Sequence, residues 1–431
     1  MLPKSNKYKI VSRVPFYYGW VILSICCSIA LCARPLMSVA TLSIFMVPMT
    51  QHFGWSRGFF SSAVSLGGIT AVIISPLVGK LIDKYGAKFI LALSSAIVGI
   101  CAMGLPFIQY PWAFYALYIP GRAAFASPLE LGTTTSVSNW FIKKRAFAMS
   151  ILSICQGIGL GTMPFIAYLL IITWDWKTSW FTLGLYTLIV GVIPSLLFII
   201  RRPEDVGLYI DGQPAPDTSN NLDSQYEPKF TEVNFTVQQA LKTKSFYLLS
   251  FFSAVGFMAQ AGISLHLVAH FSTRSFPLIL IAFPASVFAL SQICGTLIWG
   301  ALVKYVQIRF LLAICGFLIT ISAIGIIISE KPLGGLFNSF LLGVSVGGLH
   351  YLLRLAWANY YGRLHLGAIR GLTLPIQISG QAVGPVLSGF TFDISGSYTI
   401  PFIIFGAFAF IGGLLVTFAT PPKIQVHQNI T

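Results

Sequence analysis

The chain has 431 residues, 56% hydrophobic and only 9% charged, with a mean hydropathy of +0.80. Soluble domains carry about 25% charged residues, so a chain this apolar cannot keep a wettable surface, and lipid is its solvent. The net charge of +15 would suit a nucleic-acid partner in a soluble protein, but here Lys and Arg fall in alternate short loops, the pattern of a membrane protein, and no nucleic acid is expected.

A bilayer-spanning helix needs about 20 predominantly apolar residues. That length predicts twelve spans, near residues 17–47, 58–80, 87–108, 111–137, 146–172, 178–200, 245–270, 276–302, 308–328, 333–358, 369–393 and 399–419. The first run follows Lys4, Lys7, Lys9 and Arg13 and is too long for a signal-peptide core, so it stays as the first span. A polar stretch at 201–244, with Pro203, Pro214, Pro216, Asp217, Ser219, Asn220 and Asn221, separates six spans from six. The expected fold is an all-α membrane protein of two six-helix pseudo-repeats. Its parts are an N-terminal bundle at 1–200, a cytoplasmic linker at 201–244 and a C-terminal bundle at 245–431.

Orientation follows from the basic residues. With the N-terminus inside, twenty Lys and Arg lie on the cytoplasmic side, including Lys80, Lys84, Lys88, Lys143, Lys144, Arg145, Arg363 and Arg370. Four lie outside: Arg57, Lys177, Arg274 and Lys331. Both termini are therefore expected in the cytoplasm of a multi-pass inner-membrane protein. Two landmarks support duplication. Asn139-Trp140-Phe141 and Asn359-Tyr360-Tyr361 precede matching basic loops 220 residues apart, and Gly79 and Gly300 open matching loops 221 apart. Parallel repeats of this kind are a transporter architecture.

Gly79-Lys80-Leu81-Ile82-Asp83-Lys84-Tyr85-Gly86-Ala87-Lys88 resembles the signature loop of the major facilitator superfamily. Gly79 would allow close helix approach and Asp83 would accept hydrogen bonds from a neighbouring helix end, which makes both candidates for gating. In the second half Lys304 stands where an acid would match Asp83, so an acid latch is not expected there. A narrower resemblance covers nearly the whole chain. It rests on Phe16-Tyr17-Tyr18-Gly19-Trp20-Val21, Phe53-Gly54-Trp55-Ser56-Arg57, Arg202-Pro203-Glu204-Asp205-Val206-Gly207-Leu208 with Asp211-Gly212, and Gly384-Pro385 with Asp393, Gly396, Ser397 and Tyr398. These are similar to bacterial monocarboxylate-transporter-like proteins, a group that includes oxalate:formate antiporters. The resemblance implies alternating access around a cavity lined by the first, fourth, seventh and tenth spans, with the eighth and eleventh contributing. It also implies a basic residue in the eighth or eleventh span that binds a substrate carboxylate. Here Pro284-Ala285-Ser286-Val287-Phe288 carries no charge, and the core of the eleventh span has Gln377 and Gln381.

The basic residues that remain inside spans are Arg34, Arg122 and Arg354, in the first, fourth and tenth. A charge at the bilayer centre costs about 2.5–3.5 kcal/mol or more, so such residues point to function. At a rise of about 1.5 Å per residue, Arg34 and Arg122 lie roughly 20–25 Å from the cytoplasmic boundary and Arg354 roughly 9–13 Å, level with Glu130. Guanidinium forks bind carboxylates bidentately. The expected substrate contacts are therefore Arg34, Arg122 and Arg354, with Gln260, Gln292 and Trp357 as further lining. The alternative is that an arginine pairs with Glu130 or caps a helix broken near Pro35 or Pro120. Glu130 is either a proton-coupling acid or the partner of an Arg354 ion pair between the halves. His350, one turn before Arg354, is a further proton or substrate contact.

No metal or cofactor is expected. The seven cysteines lie in apolar runs without ligand spacing, and His266 and His270 lack a third ligand. Gly157, Gly159 and Gly161 read as close-packing glycines. No nucleophile–base spacing points to an enzyme. The expected function is a monomeric secondary transporter of a small organic anion, a carboxylate, working by proton coupling or exchange. The alternatives are a carrier of a carboxylate-type siderophore or iron chelate, and a non-transporting membrane receptor or assembly protein.

Overall fold

The computed structural model describes residues 11, 14–55, 57–212, 234–272 and 283–422. The basic residues Lys4, Lys7, Lys9, Arg13, Lys229, Arg274 and Lys423, the linker's Pro214 to Asn221 and the predicted start of the eighth span lie outside the described residues.

The first predicted span is three helices, α1 (Gly19–Leu31), α2 (Ala33–Leu36) and α3 (Val39–Phe53). The second and third are α4 (Arg57–Tyr85) and α5 (Ala87–Gly104), and the fourth is the pair α6 (Pro111–Ala126) and α7 (Pro128–Trp140). Then come α8 (Arg145–Thr173) and α9 (Trp176–Thr187), which continues through a π-helical turn, Leu188–Val192, into α10 (Ile193–Phe198). A short α11 (Val237–Leu241) precedes α12 (Lys244–Ser272), α13 (Phe283–Leu302), α14 (Ile308–Ile328), α15 (Pro332–Tyr361), α16 (Leu366–Ser395) and α17 (Thr399–Val416). No strand occurs among the described residues.

Nine stretches among the described residues are helical, long and apolar enough to cross a membrane. Three predicted spans fall short of that measure for visible reasons. The fourth is cut at Ser127, the described apolar part of the eighth is Ser286–Leu302, and the eleventh carries Arg370, Gln377, Gln381 and two prolines. Ile73, Leu77, Phe89, Leu93, Val386 and Ile394 are exposed on the outer faces of their helices, which only a lipid solvent makes favourable.

The breaks are local and explicable. The first break falls at Cys32, where φ is pulled out to −109° three residues before Pro35, and Ser127 leaves helical geometry altogether (φ −126°, ψ −70°) immediately before Pro128. Proline lacks the N–H that would continue a helix but suits the first turn of a new one. Ser38 restarts the chain by accepting a hydrogen bond from the Thr41 amide. Non-helical backbone at membrane depth is tolerated only where protein or a cavity surrounds it, so these breaks mark where to look for a site.

Helices α12 and α16 pack along each other, as do α13 and α15, and α14 lies against α15 and α17. In the first part α5 contacts α6 and α9, and α1 contacts α7 and α8. Two seams join the parts: α4 runs along α16, and α8 touches α13 and α15. One buried cluster is drawn from residues 25–199 together with Leu374, and another from residues 259–409. A third mixes Tyr18, Trp140 and Met149 with Phe246, Leu312 and Trp357. The parts are thus fused through apolar packing at the end that carries the 79–88 loop.

Candidate functional site

Glu130 is the centre of the charged cluster. It lies in the first turn of α7, where the exposed amides of the helix N-terminus favour negative charge. Its carboxylate is 2.8 Å from Arg354 Nε, 3.1 Å from Arg34 Nη2 and 4.0 Å from Arg370 Nη2. Gln156 Nε2 donates to it at 3.3 Å, and Arg354 Nη1 donates to Ser153 Oγ at 2.9 Å. Glu130, Arg354 and Arg370 are only 3–6% exposed. Three guanidinium groups therefore surround one carboxylate away from bulk water.

Beside this cluster is a cavity of about 70 Å³ lined by Arg34, Ser153, Gln156, Gln292, His350 and Arg354, with Gly157 and Thr296 in its wall. The residues come from both parts of the chain, so a bound molecule there would touch both. Gln156 Oε1 and Arg34 Nε have no hydrogen-bond partner among the described residues.

The structure redistributes several expected roles. Arg34 does not share a site with Arg122 one or two turns beyond Glu130. The breaks at Cys32 and Ser127 interrupt the regular rise, and Arg34 reaches the Glu130 carboxylate. Arg122 lies 4.4 Å from the Phe125 ring centroid, with Arg34 5.3 Å from the same ring. Its Nη1 donates to the carbonyl of Met37 at 3.3 Å, the residue that ends α2. This is the geometry of the capping alternative near Pro35. Gly67 makes room for Arg122, since a Cβ there would sit 2.5 Å from the arginine's Cγ.

Gln260 accepts a hydrogen bond from Gln381 at 3.3 Å and is not in the cavity wall. Trp357 is fully buried against Phe246 and Tyr361, in the fused end rather than the cavity. It lies one turn beyond Arg354, where the two parts already touch. His266 and His270 face the backbone oxygens of Pro385 and Ile326, and no group of three metal-ligating side chains occurs among the described residues. Of Gly157, Gly159 and Gly161, Gly159 is the close-packing one, with the Ala30 carbonyl 2.4 Å from where its Cβ would be, whereas Gly161 faces open space.

The charge count places Arg370 on the cytoplasmic side, at the very start of the predicted eleventh span, whereas the structure buries it. α16 begins at Leu366, three residues before the predicted boundary, and carries Arg370 into the protein interior. Ser153 and Gln156 were also missed. Their signal was two polar residues at i and i+3 in a span otherwise rich in Ile and Leu.

The fused end is held by polar contacts across the parts. Asp83 accepts hydrogen bonds from the Gly367 and Ala368 amides at 2.9 and 2.7 Å, capping the first turn of α16. Gly79 permits this approach: a Cβ there would lie 2.1 Å from the Gly367 carbonyl oxygen. Arg145 donates to the Ala358 carbonyl and Asn359 Oδ1 at 3.1 and 3.0 Å. Reciprocally, Arg363 donates to the Asn139 carbonyl at 2.9 Å and pairs with Glu204. Each arginine follows a long helix of its own part and caps the matching helix of the other. At Lys304 the pattern is not repeated: the amides of Ile142, Lys143 and Lys144 just before α8 are accepted by the Asp211 carboxylate instead.

The two-part helical fold, closed at one end over a buried charged cavity, is that of a solute carrier. The chain belongs to the Major Facilitator Superfamily, whose family model matches residues 27–377. It is 22% identical over 428 residues to monocarboxylate transporter 12-B of Danio rerio, covering 93% of this chain and 87% of that one. It is also 26% identical over 164 residues to the uncharacterized MFS-type transporter YcxA of Bacillus subtilis, which is 38% of this chain and only 40% of that relative. The crystal structure of the MFS transporter FucP in the outward conformation superimposes with a TM-score of 0.68, covering 94% of this chain and all of that one at 14% identity. The protein is a multi-pass membrane transporter and not an enzyme.

Proposed function

We propose that this transporter moves a small organic anion, a carboxylate, by alternating access. The observation that carries the reading is the charge balance of the buried cluster. Arg34, Arg354 and Arg370 face one carboxylate, Glu130, beside a cavity. Buried charge is tolerated when it is paired, and the unmatched positive charge is what an anionic substrate would complete. Similarity to a monocarboxylate transporter supports a carboxylate. A cavity of about 70 Å³, where one water needs about 10–15 Å³, suits a small carboxylate better than a bulky iron chelate.

In this reading residues 1–200 and 245–431 are two six-helix bundles, joined by a linker at 201–244. The end closed by Asp83, Arg145 and Arg363 faces the cytoplasm of the inner membrane, as do both termini. Glu130 acts as the counter-charge that ties Arg34 to Arg354, so coupling runs through substrate charge or exchange rather than through an isolated acid. His350, in the cavity wall, is the remaining candidate for a proton contact.

The test is uptake by purified monomer in proteoliposomes, with and without a pH gradient. The panel is pyruvate, lactate, benzoate, ferric citrate, and neutral and cationic solutes of similar size. Saturable uptake of one or more small carboxylates is expected. Preference for a neutral or cationic solute would overturn the reading, and so would ferric citrate as the preferred substrate.

A further inference from the structure

Arg370 is the one guanidinium of the cluster that does not line the cavity. It lies two residues past Ala368, whose amide is held by Asp83, or about 3 Å along the helix axis. Its neighbour Gly371 is pressed against α4: a Cβ there would be 2.8 Å from the Ser75 carbonyl oxygen. Arg370 touches Glu130 only at 4.0 Å. Its Nε and Nη1 have no hydrogen-bond partner among the described residues, although the residue is 3% exposed. Leaving such donors unpaired in the interior is costly.

Arg34 faces one oxygen of Glu130, and Arg354 and Arg370 face the other. Arg34 and Arg354 also line the cavity, whereas Arg370 does not and stands next to Gly371 at the α4–α16 seam. Releasing Asp83 from the α16 N-terminus would open that seam and bring the unpaired face of Arg370 to water. We propose that Arg370 is a second anion contact, used only when the latched end is open, which receives the carboxylate from Arg34 and Arg354 before release. This assignment rests on the carboxylate-transport reading above. It gives each face of the membrane its own arginine, with Glu130 as the shared counter-charge between them.

The first experiment needs no substrate. In the full chain with its native cysteines replaced, Arg370→Cys is exposed to the membrane-impermeant reagent methanethiosulfonate ethylsulfonate from each face of sealed, oriented proteoliposomes. The expected result is modification only from the latched face, roughly ten- to a hundredfold faster when Asp83→Asn is added, as loss of the charge-assisted latch would give. Modification from the opposite face, or at the same rate with and without Asp83→Asn, overturns the proposal.

The second experiment uses pyruvate as the probe and measures KM from each face. Arg370→Gln is expected to raise KM about tenfold from the latched face and leave the other within about twofold, with Arg370→Lys between the two, since ammonium keeps the charge but loses the fork. An equal change from both faces, or no change, means that Arg370 only balances Glu130, and the proposal fails. If the unaltered chain does not carry pyruvate or any other carboxylate of the panel, the transport reading fails, while the labelling result still decides which face reaches Arg370.

Discussion

Glu130 and Arg354 are 224 residues apart in the chain, yet their side chains meet at 2.8 Å in the protein interior. The pair joins the two parts at the level of the cavity. Removing one member of a buried pair costs about 3–5 kcal/mol, because the other is left charged and unmatched. Glu130→Gln is therefore expected to lower the melting temperature in detergent and abolish uptake. Arg354→Gln should be less destabilising, since Arg34 and Arg370 still offset Glu130. The double variant Glu130→Gln/Arg354→Gln should be more stable than Glu130→Gln alone. Additive losses in that cycle would show that the two residues do not act as a pair.

Arg34 and Arg122 separate two roles that the sequence places together. Arg34 reaches Glu130 and lines the cavity, whereas Arg122 caps α2 through the Met37 carbonyl. Arg34→Gln should abolish uptake with little change in expression, and Arg34→Lys should leave weak uptake with a raised KM. Arg122→Gln should instead lower thermal stability by about 1.5–3 kcal/mol, the worth of one hydrogen bond from a charged donor, and alter KM by less than Arg34→Gln does. Uptake that survives Arg34→Gln and disappears in Arg122→Gln would reverse the assignment.

Much of this was legible in the sequence, and what was not has specific causes. Gly79 and Asp83 could be assigned because their chemistry is local: a missing Cβ and an acceptor, both at a turn. The elements near Arg34 and Glu130 could be found because proline and intramembrane charge are both rare in ordinary helices. The partner of each charge could not. A span's length does not say which face of a helix points where, so Trp357 and Gln260 were placed by spacing, and packing sent them elsewhere. Arg370 failed on a boundary. The predicted span begins at 369, so Arg370 stands in its first turn and counts with the cytoplasmic side. The helix begins three residues earlier, and Asp83 and Gly371 hold that turn against α4, which puts the arginine inside.

The Asp83 contact to α16 makes a directional prediction. Asp83→Asn loses a charge-assisted cap worth about 1.5–3 kcal/mol, which shifts the balance between the two open states by roughly ten- to a hundredfold toward release of the latched end. Gly79→Leu should act the same way by another route, since its side chain would occupy the space of the Gly367 carbonyl. Spin labels on α4 and α16 near this end should show a longer distance in both variants. Unchanged distances in both would mean that the apolar contacts around Trp140 and Trp357 hold the end closed unaided.

Asp211 supplies the last prediction, because its backbone and side chain make separate demands. Its φ of 57° is in the left-handed region, which glycine, asparagine and aspartate adopt at the least cost. Its carboxylate accepts from the amides of Ile142, Lys143 and Lys144 at 3.1, 2.7 and 3.2 Å, so the linker pins the turn between α7 and α8. Asn234 does the same at the other end of the linker, accepting from the Arg363 and Leu364 amides at 3.0 Å each. Asp211→Asn keeps the backbone preference and one acceptor, so it should cost no more than about 1 kcal/mol. Asp211→Gly keeps only the backbone and Asp211→Ala keeps neither, so stability should fall in the order Asn, Gly, Ala. Thermal unfolding in detergent measures the order. If glycine matches asparagine, the three amide contacts contribute nothing, and the linker does not pin the turn.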